Sequence, residues 1–478
     1  MIRPVCETAY WKAAAVRCVR LFAASATAAA VFASWPGTGS AQPSITKEIL
    51  IGDAVADIGP KYSDVDEAIK RFNNRDPLSA RALLEEARRK APTLPPSDLT
   101  LAKMYFLSGN AQAGRAQLEK TVTENAGDPE AYLILADQDL SQGGTVEAEA
   151  LYDKALLLTE KFNDNPKRKR NFGIKARWGR ALISEQRKNW TAMGRDLQDL
   201  LKIDENHAAA RYRMGRALCM LNKFPEGKAA FEAAKKEDKK LPGAWLAVAT
   251  MYDLLGRTDD AKKAFGEALK EDQADLGTMV QHAQFLIKIG SLDEATTRLA
   301  LASRAHPESL DVFILSGAAA FMNGKLKEAE EFFITANGKS PANIVVINQL
   351  ALLLIESAKE DDRSRAMAFA LMNAKVNNNS ADAQITLSWV NYKLGRPAEA
   401  SAALRQGLQL GTLSPDSSYL VAAMLASQNQ PEQLDAAKRL LSEALAATNT
   451  GIFVRKKEAQ DLLKKLSGGA GVSTAGEK

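Results

Sequence analysis

The chain offers little to metal ions or thiol chemistry: three histidines and three cysteines in 478 residues, with aromatics at only 6%. His207, His282 and His306 lie far apart, and none has a second His or Cys at ligand spacing. Cys6 and Cys18 fall in a leading segment expected to be removed, which leaves Cys219 unable to close an intramolecular disulfide. Flanked by Leu218 and Met220, Cys219 reads as a small packing residue rather than a reactive thiol. The strings GxxxxGK[ST], GxGxxG, HExxH and GxSxG are absent. The pairs Asp259-Asp260 and Asp361-Asp362 fall in turns or at helix starts, where carboxylates satisfy free backbone N–H groups and the helix dipole. No catalytic residue, metal ligand or cofactor is therefore assigned, and the chain is expected not to be an enzyme. A catalytic site would have to be assembled from scattered carboxylates.

Net charge is also scarce. The chain carries 63 basic and 58 acidic residues, and Arg3, Lys12, Arg17, Arg20 and Glu7 all precede residue 42. The remainder of the chain is close to neutral, so a polyanion-binding role must rest on local clustering, such as the basic stretch 167–188.

Long hydrophobic runs are missing except for Leu21 to Trp35, which comes after those four basic residues and precedes small residues at Gly39 and Ala41. This order reads as a signal peptide over residues 1–41, cleaved after Ala41. The alternative is an uncleaved membrane anchor, although the run is shorter than the roughly twenty residues that span a bilayer. No cysteine at the cut suggests a lipoprotein. The expected location is periplasmic or secreted.

What the chain has is a period. Trp245, Ala249, Tyr252, Gly256, Ala261, Phe265 and Ala268 return thirty-four residues later as Met279, Ala283, Leu286, Gly290, Ala295, Leu299 and Ala302. A second step gives Phe313, Gly317, Ala320, Gly324, Ala329, Phe333 and Ala336; a backward step gives Arg211, Gly215, Leu218, Asn222, Gly227, Phe231 and Ala234. Each unit has two apolar stripes at helical spacing with a Gly or Asn between them, the pattern of a helix hairpin. Small residues let the two helices cross closely, and Pro307 and Pro341 stand where a second helix must stop. Extra residues interrupt the register near 158–172, 357–364 and 428–434.

At these residues the chain resembles the tetratricopeptide repeat family. The resemblance implies an all-α fold, a right-handed superhelical solenoid of antiparallel helix hairpins. Roughly ten or eleven units are expected over residues 61–451, after a linker or irregular segment at 42–60. Phe453 to Leu466 reads as an amphipathic capping helix, with a membrane-surface helix as the other reading, and the glycine-rich tail from Ser467 is expected to be disordered.

The resemblance further implies that the first helix of each hairpin lines a concave groove through its second, fifth, sixth, ninth, twelfth and thirteenth places. That map selects Arg177 and Arg180, then Tyr212, Arg213 and Arg216, beside the run Lys167-Arg168-Lys169-Arg170. Four guanidiniums there would suit an acidic segment or a terminal carboxylate; the plainer reading pairs them with acids on adjacent helices. Farther along the map selects Phe321 and Met322, Leu352 and Ile355, and Ile385, Trp389 and Tyr392, a stripe suited to an amphipathic segment unless Trp389 packs within its own hairpin. The expected function is an exported scaffold or adaptor holding partner proteins in an envelope assembly or secretion machine. The alternative is nucleic-acid or polyanion binding through residues 167–188.

Overall fold

The computed structural model describes residues 44–447 and 451–468, and every regular element among them is helical. The expected signal segment, residues 1–41, and the expected disordered tail beyond Gly468 lie outside them.

The chain divides after Met251 into two compact units. The amino-terminal unit begins with a short helix α1 (Lys47–Ile51). Five hairpins come next: α2/α3 (Ser63–Asn73, Pro77–Lys90), α4/α5 (Ser97–Leu107, Ala111–Glu124), α6/α7 (Pro129–Ser141, Thr145–Lys161), α8/α9 (Pro166–Gln186, Trp190–Ile203) and α10/α11 (Ala208–Met220, Phe224–Glu237). Helix α12 (Ala244–Leu254) falls at the division. The carboxy-terminal unit holds α13 (Thr258–Glu271) and the hairpins α14/α15 (Leu276–Lys288, Leu292–Ala305), α16/α17 (Leu310–Met322, Leu326–Lys339), α18/α19 (Ile344–Leu354, Glu360–Val376), α20/α21 (Ala381–Lys393, Pro397–Leu410) and α22/α23 (Pro415–Ala426, Pro431–Ala446). It closes with α24 (Lys456–Gly468).

The hairpins form where the sequence pattern places them, for local reasons. In most hairpins a turn residue between the paired helices is left-handed, as Gly324 shows at φ 73°; Asn222 adopts the same conformation at φ 62°. At several crossings the small residue is backed by an aromatic ring. A Cβ on Gly215 would come within 2.8 Å of Phe231, and one on Gly317 within 2.8 Å of Phe333. Both rings are fully buried, each contributing roughly 2–3 kcal/mol of apolar burial.

The interruptions of register lengthen elements. Helix α8 runs for 21 residues and α19 for 17. The segment expected to be a linker or irregular contains α1, whose Leu50 and Ile51 are buried, as are Ala54 and Val55 beyond it. The terminal helix starts at Lys456 rather than Phe453 and runs through Ser467 and Gly468, two residues past its expected end. Its late start has a physical cause: the backbone N–H groups of Val454 and Arg455 are held by the Asp416 carboxylate of α22.

His282 lies inside α14, stacked on Phe265 at 5.1 Å between ring centroids and also against Phe285. Neither ring nitrogen has a hydrogen-bond partner among the described residues. Burial lowers its pKa to about 4, with Arg298 and Lys262 acting in the same direction and Glu294 opposing. The unfolded chain binds this proton near pH 6.5 and the folded chain only near 4, so stability is present above the higher value and is lost as pH falls between them. Lowering the pH from 7.5 to 5 should cost the carboxy-terminal unit about 2 kcal/mol through this residue. His282→Phe should flatten that part of the pH profile in urea titrations, and an unchanged profile would assign the loss elsewhere.

Candidate partner-binding surface

The arginines selected on α8 and α10 are held inside the amino-terminal unit. Arg180 pairs with Asp153 at 2.8 Å and with Asp196 at 3.3 Å. Arg213 and Arg216 are brought together on one carboxylate, Glu185 at the end of α8; the Arg216 contact is 3.2 Å. Arg213 also lies over the Trp178 ring at 5.2 Å. Arg177 donates to the Gly173 carbonyl of its own helix at 3.2 Å and is the one of the four with no ion pair among the described residues. Tyr212 packs on Phe231 at 4.8 Å, and burial raises its phenol pKa. The acids on adjacent helices thus neutralise three of the four guanidiniums.

The run from Lys167 to Arg170 is also taken up internally. Arg168 is 2% exposed and lies between the rings of Phe162 and Phe172. It pairs with Asp128 and Glu130, each at 2.8 Å, and Lys103 pairs with Glu130 from α4. Against burial, which by itself would raise it, Lys103 and Arg168 bring the Glu130 carboxyl down to about 2. Burial dominates at Asp128 and raises its pKa. Lys167 donates to the carbonyls of Gly52 at 2.7 Å and Val55 at 3.2 Å, and Asn165 to that of Ala54 at 2.5 Å. These contacts fasten the segment after α1. Lys169 reaches the Glu160 carbonyl at 3.0 Å, and Arg170 reaches Asp204 at 3.0 Å. With Arg187 on Glu149, the stretch 167–188 leaves Lys175 and Lys188 as its basic side chains without a hydrogen bond or ion pair among the described residues.

The apolar stripe of the carboxy-terminal unit is more covered than its residue types suggest. Leu352, Ile355 and Ile385 are buried, and Trp389 keeps only 8% exposure. Trp389 lies against Tyr392 at 5.6 Å, and Lys393 sits over its ring at 5.5 Å. Tyr392 retains 38% exposure, and Phe321 and Met322 are half-buried.

The residue missed on the sequence is Arg455, which is 5% exposed. Its guanidinium lies 4.8 Å from the centroid of Phe321 and donates to Gln349 Oε1 at 3.4 Å. The backbone N–H groups of Arg455 and Val454 donate to the two oxygens of Asp416 at 2.8 and 3.2 Å. Phe321, Gln349 and Asp416 occupy the twelfth, sixth and second places of their first helices, so three hairpins meet on this one segment. Of these the sequence had singled out Phe321 alone; which side chain met them depended on where the chain end folds back. Burial raises the Asp416 pKa, while Arg455 and its backbone N–H act in the opposite direction.

Paired helices at a thirty-four-residue period, small residues at the crossings and a left-handed turn between partners define a helical-repeat protein. The fold is an all-α, tetratricopeptide-like array of helix hairpins. No family model matches the chain, and no curated protein matches it significantly. Among solved structures it is similar to yeast Tom70, at 14% identity over 85% of this chain and 95% of that one, with a TM-score of 0.38. It is also similar to PilF of Pseudomonas aeruginosa, at 21% identity over 43% of this chain and 91% of that one, with a TM-score of 0.34. Among the described residues no group of His, Cys, Asp and Glu could hold a metal ion, and no helix is long and apolar enough to cross a membrane. Cys219 is buried, and burial pushes its thiol up to about 12.

Proposed function

We propose that the chain is an exported, non-enzymatic scaffold that holds partner proteins along the mapped face of its first helices, within an envelope assembly or secretion machine. One observation carries the binding part of this reading. In the carboxy-terminal unit a turn of polypeptide, Val454 with Arg455, already lies against first helices of three hairpins, held through its backbone as well as its side chain. Backbone capture beside an aromatic contact is one way in which a preformed surface takes a peptide segment. Export rests on the basic, apolar and small-residue order of residues 1–41.

The pairing of Arg180, Arg213 and Arg216 with carboxylates favours apolar or amphipathic partner segments over acidic ones. The second reading, polyanion binding through 167–188, is weakened by the internal contacts of most basic side chains there.

The test is twofold. Met322→Asp with Tyr392→Asp should weaken partner capture in the native host by at least about ten-fold, since a few aromatic anchors carry most interface energy. Helicity should stay unchanged; equal capture would refute the apolar face. The exported chain should begin at Gln42, and recovery of the intact chain from the cytosol would refute export.

A further inference from the structure

We infer that residues 47–55 fill the groove of the amino-terminal unit from α2 to α8 as a fixed part of the fold, so that this stretch takes no partner and capture falls to the first helices that follow. The inference rests on the scaffold reading and narrows it.

The places that face the groove identify the contact. Setting Ala80, Leu84 and Ala87 in register with Ala261, Phe265 and Ala268 makes Tyr62, Val65, Asp66 and Ile69 the second, fifth, sixth and ninth places of the first unit. Setting Ala102 with Ala249 makes Lys103 the ninth place of the second. Leu50, Ile51, Ala54 and Val55 are buried in one apolar cluster with Tyr62, Val65 and Ile69, and Lys47 pairs with Asp66 at 2.8 Å. Lys103 Nζ donates to the Leu50 carbonyl at 3.4 Å. Along the carboxy-terminal unit the same face leaves Val345 and Tyr392 at 46% and 38% exposure.

A cap on the end of a helical array would touch only the first hairpin. This segment reaches the fourth, and it does so through the extra residues that break the register near 158–172. They extend α8 to 21 residues and put Asn165 and Lys167 at its start. Asn165 Oδ1 accepts the N–H groups of Lys167 and Arg168, which turns Nδ2 toward the Ala54 carbonyl. Lys167 Nζ donates to the carbonyls of Gly52 and Val55. The carbonyls of Leu50, Gly52, Ala54 and Val55 accept no backbone N–H among the described residues, so these side chains supply the partners that the backbone does not. The insertion in the fourth hairpin and the leading segment are two halves of one contact.

Hydrogen exchange of the unmodified chain tests the closure. The amides of Leu50, Gly52 and Ala54 bond within a short helix and turn, which alone would hold them to within about ten-fold of the free-peptide rate. Docked as a fixed part of the unit, they should be protected to within about ten-fold of the amides of α2. Exchange near the free-peptide rate while α2 stays protected would overturn the inference. Lys167→Ala should speed their exchange by at least about ten-fold, since it removes a charged donor from two carbonyls; no change would overturn it too. In a second measurement, Leu50→Asp with Ile51→Asp expels the segment, and a fluorescent peptide spanning residues 44–58 is titrated by anisotropy. The vacated chain should bind it at least about ten-fold more tightly than the unmodified chain, whose groove is filled. Equal binding by the two chains would refute the closure. Protection of residues 47–55 alongside partner capture that ignores Met322→Asp and Tyr392→Asp would sink the scaffold reading alone.

Discussion

Replacing Arg168 with methionine should destabilise the amino-terminal unit by about 3–5 kcal/mol, the usual cost of removing one partner from a buried ion cluster. The arginine is enclosed by Phe162 and Phe172 and is shared by Asp128 and Glu130. Without it two buried carboxylates would face only Lys103, which pairs with Glu130. The neighbouring Lys169 provides the contrast. Its head reaches a carbonyl and the Asn163 amide at the surface, and Lys169→Met should change stability by no more than about 0.5 kcal/mol. Urea denaturation of both variants checks the pair. Equal, small effects would mean that the basic run is solvated as its sequence suggests, and would restore it as a candidate polyanion site.

Gly179→Ala should cost about 2–4 kcal/mol, although alanine is the better helix former by about 1 kcal/mol. The added Cβ would lie 2.1 Å from Cζ of Tyr152 and 2.4 Å from its Cε2. Tyr152 is 1% exposed and donates to Asp137, so its ring cannot yield without breaking that hydrogen bond. Overpacking of about 1–3 kcal/mol and the lost hydrogen bond, about 1 kcal/mol, outweigh the helix gain. Gly194→Ala, in the interior of α9 with nothing within 4 Å of a built Cβ, should instead stabilise by up to about 1 kcal/mol. Thermal unfolding distinguishes the two by sign. Two stabilising substitutions would show that α7 and α8 do not cross as closely as described.

The aromatic rings opposite Gly215 and Gly317 were legible as larger residues beside small ones, because a repeat states its own crossing geometry many times over. The same holds for His282, whose place within a first helix marks it as a packing residue, and it stacks on Phe265. The charged residues were not legible in this way. Nothing in the run Lys167-Arg168-Lys169-Arg170 distinguishes its second member, which is buried, from its third, which is not. Asp128 and Glu130 lie about forty residues before it, in a different hairpin, so their meeting depends on how hairpins stack. Glu185 likewise reveals its two arginines only across the α8–α10 interface.

The sequence by itself determined the hairpins, the turns between them and the small residues at their crossings. All of these depend on contacts within a few tens of residues and are repeated along the chain. The tertiary structure decided which charges are neutralised, that the basic run fastens the segment after α1, and that Arg455 folds back onto Phe321 and Gln349, 134 and 106 residues before it. A charge is governed by what surrounds it, and in a stacked array those surroundings come from other hairpins and from the ends of the chain.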